Sequence, residues 1–183
     1  DVKLAEAFQG DDAILVNETQ EWGGYRVTLM GAVAGRNLSE YLSEADDGTV
    51  KDDRFYSVVA ISRTDGTPMP DTGSDEYGEA PFLVSPYIKG LDPAVYNILF
   101  MGGGYSEFVR DGVQYRLIDM DNIEMFADKG IYVGVNTGSF YDTDAYRFDE
   151  STGEITRNES YQGVNALFVL PVDKSKADPA AAQ

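Results

Sequence analysis

Short runs of β-branched and aromatic residues recur along this chain roughly every ten to twenty residues, each bounded by turn formers. No other feature constrains the fold as tightly. A βαβ unit, two parallel strands with their crossover helix, needs ~30 residues or more, and the helical stretches between these runs are too short for a regular series of crossovers. The rhythm argues against a βαβ fold. It predicts a mostly β chain, an antiparallel β-sandwich (immunoglobulin-like or related) with a few short helices.

The elements follow from local pattern. Residues 2–8 carry Leu4, Ala5, Ala7 and Phe8 at amphipathic spacing, which predicts a short leading helix. Ala13 to Val16 reads as a first strand. Residues 25–33 alternate Tyr25, Val27 and Leu29 with Arg26, Thr28 and Met30, a strand with one buried face. Leu38, Tyr41 and Leu42 sit at helical spacing after Asn37, so a capped helix is expected over 37–44. Residues 55–62 form a strong strand signal, and Pro86 makes the strand over 82–88 an edge. Val95 to Met101 reads as a strand. Asp111-Gly112, between Phe108-Val109 and the run Val113 to Ile118, signals a hairpin. Asp121 to Ala127 reads as one helical turn. Further strands are expected over 131–135 and 164–172.

Residues 1–172 read as one β-rich domain, followed by a polar tail over 173–183. Within the tail, Asp178 and Pro179 resemble an N-cap and first helical position, as if a helix began and were cut off. With Asp1 as the first residue, this suggests a piece of a longer protein or a processed N-terminus.

The chain has no Cys and no His. Disulfide frameworks, Cys–His zinc sites and imidazole- or thiol-based catalysis are therefore excluded. Lys and Arg number 14 against 32 Asp and Glu, a net charge of −18. Such a chain is repelled by phosphate backbones and anionic headgroups, so neither nucleic acid nor a membrane surface is expected as a direct partner. Gly102-Gly103-Gly104 lacks the Lys and Ser/Thr of a phosphate cradle and reads as a turn.

The remaining chemistry lies in two segments. Residues 67–80 form a long Pro- and Gly-containing acidic loop with Asp75, Glu76 and Tyr77. Residues 141–150 join Tyr141, Tyr146 and Phe148 to Asp142, Asp144, Asp149 and Glu150. Tyrosine gives a rigid amphipathic contact surface at low entropy cost, so Tyr77, Tyr141, Tyr146 and Phe148, with Asp75 and Glu76, are candidate binding residues. Clustered carboxylates are raw material for calcium, which makes the four acids of 142–150 candidate metal ligands. The spacing fails the EF-hand pattern, since Tyr146 and Arg147 stand where an oxygen ligand and a glycine are required. No other cofactor is suggested.

Five long phrases carry a resemblance. GYRVTLMGAVAGRNLSEY (24–41), DRFYSVVAISRTDGTPMPD (53–71), PFLVSPYIKGL (81–91), GGGYSEFVRDGVQYRLIDMDNIEMFADKGIYVGVN (102–136) and VNALFVLPVDKSKADP (164–179) resemble an uncharacterised ectodomain of Gram-positive anti-sigma-factor-like membrane proteins. The resemblance spans nearly the whole chain and carries no catalytic motif. It implies a domain on the outer face of the membrane, anchored by a segment outside this sequence. The expected function is non-enzymatic sensing or interaction with a protein or cell-envelope ligand. The second expectation is a carbohydrate- or peptide-binding module, for which calcium is a candidate stabiliser and no cofactor is required. A two-carboxylate hydrolase ranks third.

Overall fold

The computed structural model describes residues 1–183. Helix α1 (Val2–Gln9) is followed by β1 (Ile14–Trp22), β2 (Tyr25–Arg36), β3 (Ser43–Glu44), β4 (Val50–Lys51) and β5 (Asp53–Arg63). Then come β6 (Phe82–Ile88), β7 (Gly104–Arg110), β8 (Val113–Asp121), β9 (Ile131–Thr137), β10 (Tyr146–Phe148), β11 (Ile155–Arg157) and β12 (Asn165–Leu170). The chain is mostly β. A five-stranded sheet runs β1-β2-β5-β8-β7, a three-stranded sheet runs β12-β9-β6, and β3-β4 and β10-β11 are small hairpins. Every strand pairing is antiparallel. No helix is long and apolar enough to cross a membrane.

Period-two alternation sorts the side chains onto faces. In β8, burial alternates strictly, with Gln114, Arg116, Ile118 and Met120 buried and their neighbours partly open. One face of each large sheet feeds a shared core. Leu29, Phe55, Val59 and Ile118 come from the larger sheet, and Val84, Val133 and Phe168 from the smaller. Phe55 and Phe168 are 0% exposed, and truncating either to Ala costs about 3–5 kcal/mol at such sites.

Both outer faces are partly covered. Leu4 of α1 packs on Val33 and Tyr56. Behind the smaller sheet, Tyr146 and Ile155 of the β10–β11 hairpin pack on Tyr87. This close approach requires Gly134, where a Cβ would lie 2.4 Å from the Tyr87 ring and 2.8 Å from the Tyr146 hydroxyl. Burial pushes the Tyr87 and Tyr146 phenols above their ordinary range.

The leading helix, the hairpin about Asp111-Gly112 and the edge position of the Pro86-bearing strand match expectation. Two expected elements are absent. Residues 37–42 are not helical, because tertiary bonds hold them otherwise. Asn37 sits at φ 56° and donates its N–H to Asp52 O at 2.8 Å. The Asp1 carboxylate accepts from Ser39 Oγ at 2.5 Å and from Glu40 N at 3.0 Å while also capping α1 at Leu4 N. Residues 95–101 form consecutive turns instead of a strand. The Asp92 carboxylate accepts from Ala94 N, the Asn97 carbonyl accepts from Phe100 N and Met101 N, and Ile98 N donates to Ser85 Oγ. Strand β1 also runs on to Trp22, well past Val16. After Asp178 the chain makes turns, with Ala180 N and Ala181 N donating to the Asp178 carboxylate.

Candidate functional site

The two large sheets have two margins, and they are finished differently. At the β1–β12 margin, the Gln20 amide donates to Leu167 O at 2.8 Å and accepts from Leu167 N at 3.3 Å. At Leu167 one side chain thus supplies the two bonds that a neighbouring strand would make. The β6–β7 margin has no backbone pairing. It holds a cleft of about 360 Å³, at the small end of the roughly 300–1,000 Å³ typical of ligand sites.

Its floor comes from β7 and β8. The Asp111-Gly112 turn has φ of 52° and 77°, the two positive values of a tight two-residue hairpin. That turn sets the register that places Glu107 opposite Arg116. Both side chains are buried, at 5% and 6% exposure. Arg116 Nε and Nη2 donate to Glu107 Oε2 at 2.9 and 2.6 Å, and Gln114 Nε2 donates to the same oxygen at 2.5 Å. Arg116 Nη1 donates to Phe82 O, reaching across to β6. The guanidinium carbon lies 4.4 Å from the Tyr105 ring centroid, a cation–π contact. Three donors converge on one carboxylate oxygen, and Glu107 Oε1 is buried without a hydrogen-bond partner. Leaving a buried acceptor unmatched costs on the order of 1–3 kcal/mol, more when it is charged.

Tyr25 and Phe82 line the inner wall, edge to face at 5.1 Å. The roof is the loop from Met69 to Pro81. Met69 is buried in the core and its N–H donates to Gly112 O. At the other end Pro81 O accepts from Gly138 N, and between these two tethers the roof's hydrogen bonds are internal: Ser74 N and Oγ to Asp71 O, Tyr77 N to Ser74 O, Glu79 N to Glu76 O. Nothing but packing holds residues 70–80 over the sheets.

The strand β7 is a free edge. In an antiparallel pair, residues alternately exchange both backbone bonds with the partner or neither. Counting from the Arg110–Val113 pair that closes the turn, the N–H and C=O groups of Val109, Glu107 and Tyr105 point away from β8. No hydrogen bond from elsewhere in the chain meets them.

Of the residues singled out from sequence, Glu76 and Tyr77 line this cleft. Asp75 lies with Glu76 in a shallow trough on the other side of the loop. The segment 141–150 is elsewhere, and its residues do not act together. Tyr141 is 80% exposed and packs on Phe140 at 4.1 Å. Tyr146 is buried, and its hydroxyl donates to Ala166 O at 2.7 Å, so it is a packing residue and not part of a contact surface. Phe148 packs half-buried beside it.

The expected calcium ligands do not converge either. Asp142 accepts from Ser139 N and Oγ, and Asp149 accepts from Ser151 N and Oγ. The Ser151 hydroxyl and amide hold the Asp149 carboxyl below its ordinary value. Each of these two carboxylates serves its own turn. Asp144 contributes a backbone carbonyl to Asn158 Nδ2, and Glu150 is exposed. No three acids anywhere in the chain are grouped to hold a metal ion.

Glu107 and Arg116 were not among the residues singled out from sequence. Their signal was the turn itself, since a two-residue Asp-Gly hairpin pairs position 107 with 116 by counting. Asp119 and Asp121 share one face of β8 and are engaged by Arg54, which is 2% exposed. That network joins β5 to β8 and to Gly102 O and leaves the guanidinium committed to the fold.

No family model matches the sequence, and no curated protein or solved structure is significantly similar to it.

Proposed function

We propose that this chain is a non-enzymatic recognition domain of β-sandwich architecture, carried on the outer face of a membrane by an anti-sigma-factor-like protein. Its contact surface is the roofed cleft at the β6–β7 margin. The observation that carries this is the buried Glu107–Arg116 pair, which lines the cleft and keeps one carboxylate oxygen without a donor. The resemblance of the five long phrases supplies the membrane setting and the signalling context. A chain without imidazole or thiol, whose cleft carboxylate is neutralised by a guanidinium, is better suited to holding a molecule than to transforming it.

Two experiments test the proposal. The coding sequence upstream of Asp1 is expected to encode a membrane-spanning segment, and its absence overturns the anchored placement. In the full-length protein, replacing residues 71–79 by a short Gly-Ser link is expected to change output from a sigma-dependent reporter. Unchanged output overturns the siting.

A second reading, a carbohydrate- or peptide-binding module, is favoured by the partly exposed rings of Tyr77 and Tyr105 at the cleft. Rings of this kind stack on sugars or peptide planes in either setting.

A further inference from the structure

We propose that the cleft receives an extended peptide, added as a strand along the free edge of β7, with one lysine or arginine side chain turned in to Glu107 Oε1. This deepens the reading of the cleft as the recognition surface and rests on it.

The backbone argues for a peptide. The free N–H and C=O groups belong to Tyr105, Glu107 and Val109, every second residue of a seven-residue strand. That spacing is the one an incoming strand presents, and strand addition to an open edge is a recurrent mode of peptide capture. A sugar has no matching row of alternating donors and acceptors.

The charges argue for a basic side chain. The cleft contains three carboxylates, Glu76, Glu79 and Glu107, and two guanidinium groups, Arg63 and Arg116. Both guanidinium groups are engaged. Arg116 is spent on Glu107 and Phe82 O, and Arg63 donates to Pro68 O at 3.1 Å. The open valence is Glu107 Oε1, a charged acceptor that a cationic donor satisfies best. The surrounding chain, at −18, adds an attractive field.

Glu107 Oε1 is buried, so a guest reaches it by displacing the roof. Residues 70–80 make no backbone bond to either sheet, and that displacement breaks no ladder.

The test is an amide-resolved NMR titration of the full 183-residue chain. The probe is an acetylated seven-residue peptide alternating threonine and valine around one central lysine, with norleucine and glutamate counterparts. On binding, the amides of Tyr105, Glu107 and Val109 are expected to gain protection from exchange. Those of Ser106 and Phe108, already paired to β8, are expected not to change. The lysine peptide is expected to bind roughly tenfold or more tightly than the norleucine one, and Glu107→Gln is expected to erase that preference. Tyr105→Pro removes an outward N–H without taking a bond from β8, and weakens all three peptides if strand addition is correct. It serves as the arbiter if Glu107→Gln melts early.

No binding at millimolar lysine peptide, binding without protection at the three amides, or equal affinity for lysine and norleucine each overturns the inference. A soluble peptidoglycan oligosaccharide is run in parallel. If it shifts the cleft resonances while the peptides do not, the peptide inference falls and the cleft remains the recognition surface. If neither probe perturbs the cleft and the roof replacement leaves reporter output unchanged, both fall.

Discussion

Along the β1–β12 margin, one neutral amide donates to and accepts from the same backbone residue, Leu167. Along the β6–β7 margin, a guanidinium crosses to Phe82 O and relies on a carboxylate behind it. The difference lies in the inventory of the groups. A carboxamide carries both donors and acceptors and can copy a strand's backbone, whereas a guanidinium carries five donors and no acceptor. It satisfies a carbonyl but needs a counter-charge, and the counter-charge brings more lone pairs than one arginine can fill. At the first margin the bridging amide and the Leu167 backbone match each other, donor to acceptor and acceptor to donor. The second ends with an acceptor to spare, and the cleft lies there.

The sharpest way to break this contrast is Arg116→Ala. It strands the Glu107 carboxylate in a site where its side chain is 5% exposed, and is expected to cost about 3–5 kcal/mol in urea unfolding. The double variant Glu107→Leu with Arg116→Met is expected to recover most of that loss, because apolar groups of similar volume often replace a buried pair at little cost. Failure to recover would mean the pair is needed for the margin itself. At the other margin, Gln20→Ala removes two backbone contacts and is expected to cost about 2 kcal/mol by the same melt, with no effect on the cleft.

A control independent of both margins lies behind the smaller sheet. Tyrosine ionises near pH 10 in an unfolded chain, while burial keeps Tyr87 and Tyr146 protonated in the folded one. The folded state therefore binds more protons above that pH. The stability is complete below pH ~10 and declines as pH rises past it, by about 1.4 kcal/mol for each tyrosine at pH ~11. Tyr87→Phe is expected to remove its share of the alkaline decline, measured by urea melts at a series of pH values. The smallest effect is expected at the roof. Replacing residues 71–79 by a short link should change stability by only ~0.5 kcal/mol, since the segment's hydrogen bonds are its own. A larger loss would show that the roof holds the sheets together.

The strands were legible because their alternation is local. Val27 and Leu29 against Arg26 and Thr28 identify a buried face before any partner is known, and Asp111-Gly112 fixes a hairpin register on its own. What escaped depended on distant groups. The helical spacing of Leu38, Tyr41 and Leu42 loses to bonds from Asp1 and Asp52, neither of which local pattern weighs. The apolar run Val95 to Met101 is bent by Asp92, Asn97 and Ser85 into turns that leave Leu99 and Phe100 exposed. At the site, the acidic loop with Glu76 and Tyr77 stood out by composition. The acids of 142–150 drew attention for the same reason, but clustering in sequence says nothing of convergence in space. Glu107 and Arg116 sit among ordinary strand residues, and only counting across the hairpin brings them face to face.

The position of the roof in the chain has a consequence for how the molecule withstands damage. Residues before it supply β1, β2 and β5, residues after it supply β8 and β7 of the same sheet, and the seam between them is the central β5–β8 ladder. The later segment also supplies the whole of the smaller sheet, whose side chains interlock with both. A protease nick at this exposed loop therefore severs the polypeptide without separating its pieces, and the two fragments are natural complementation partners, each incomplete until the other docks.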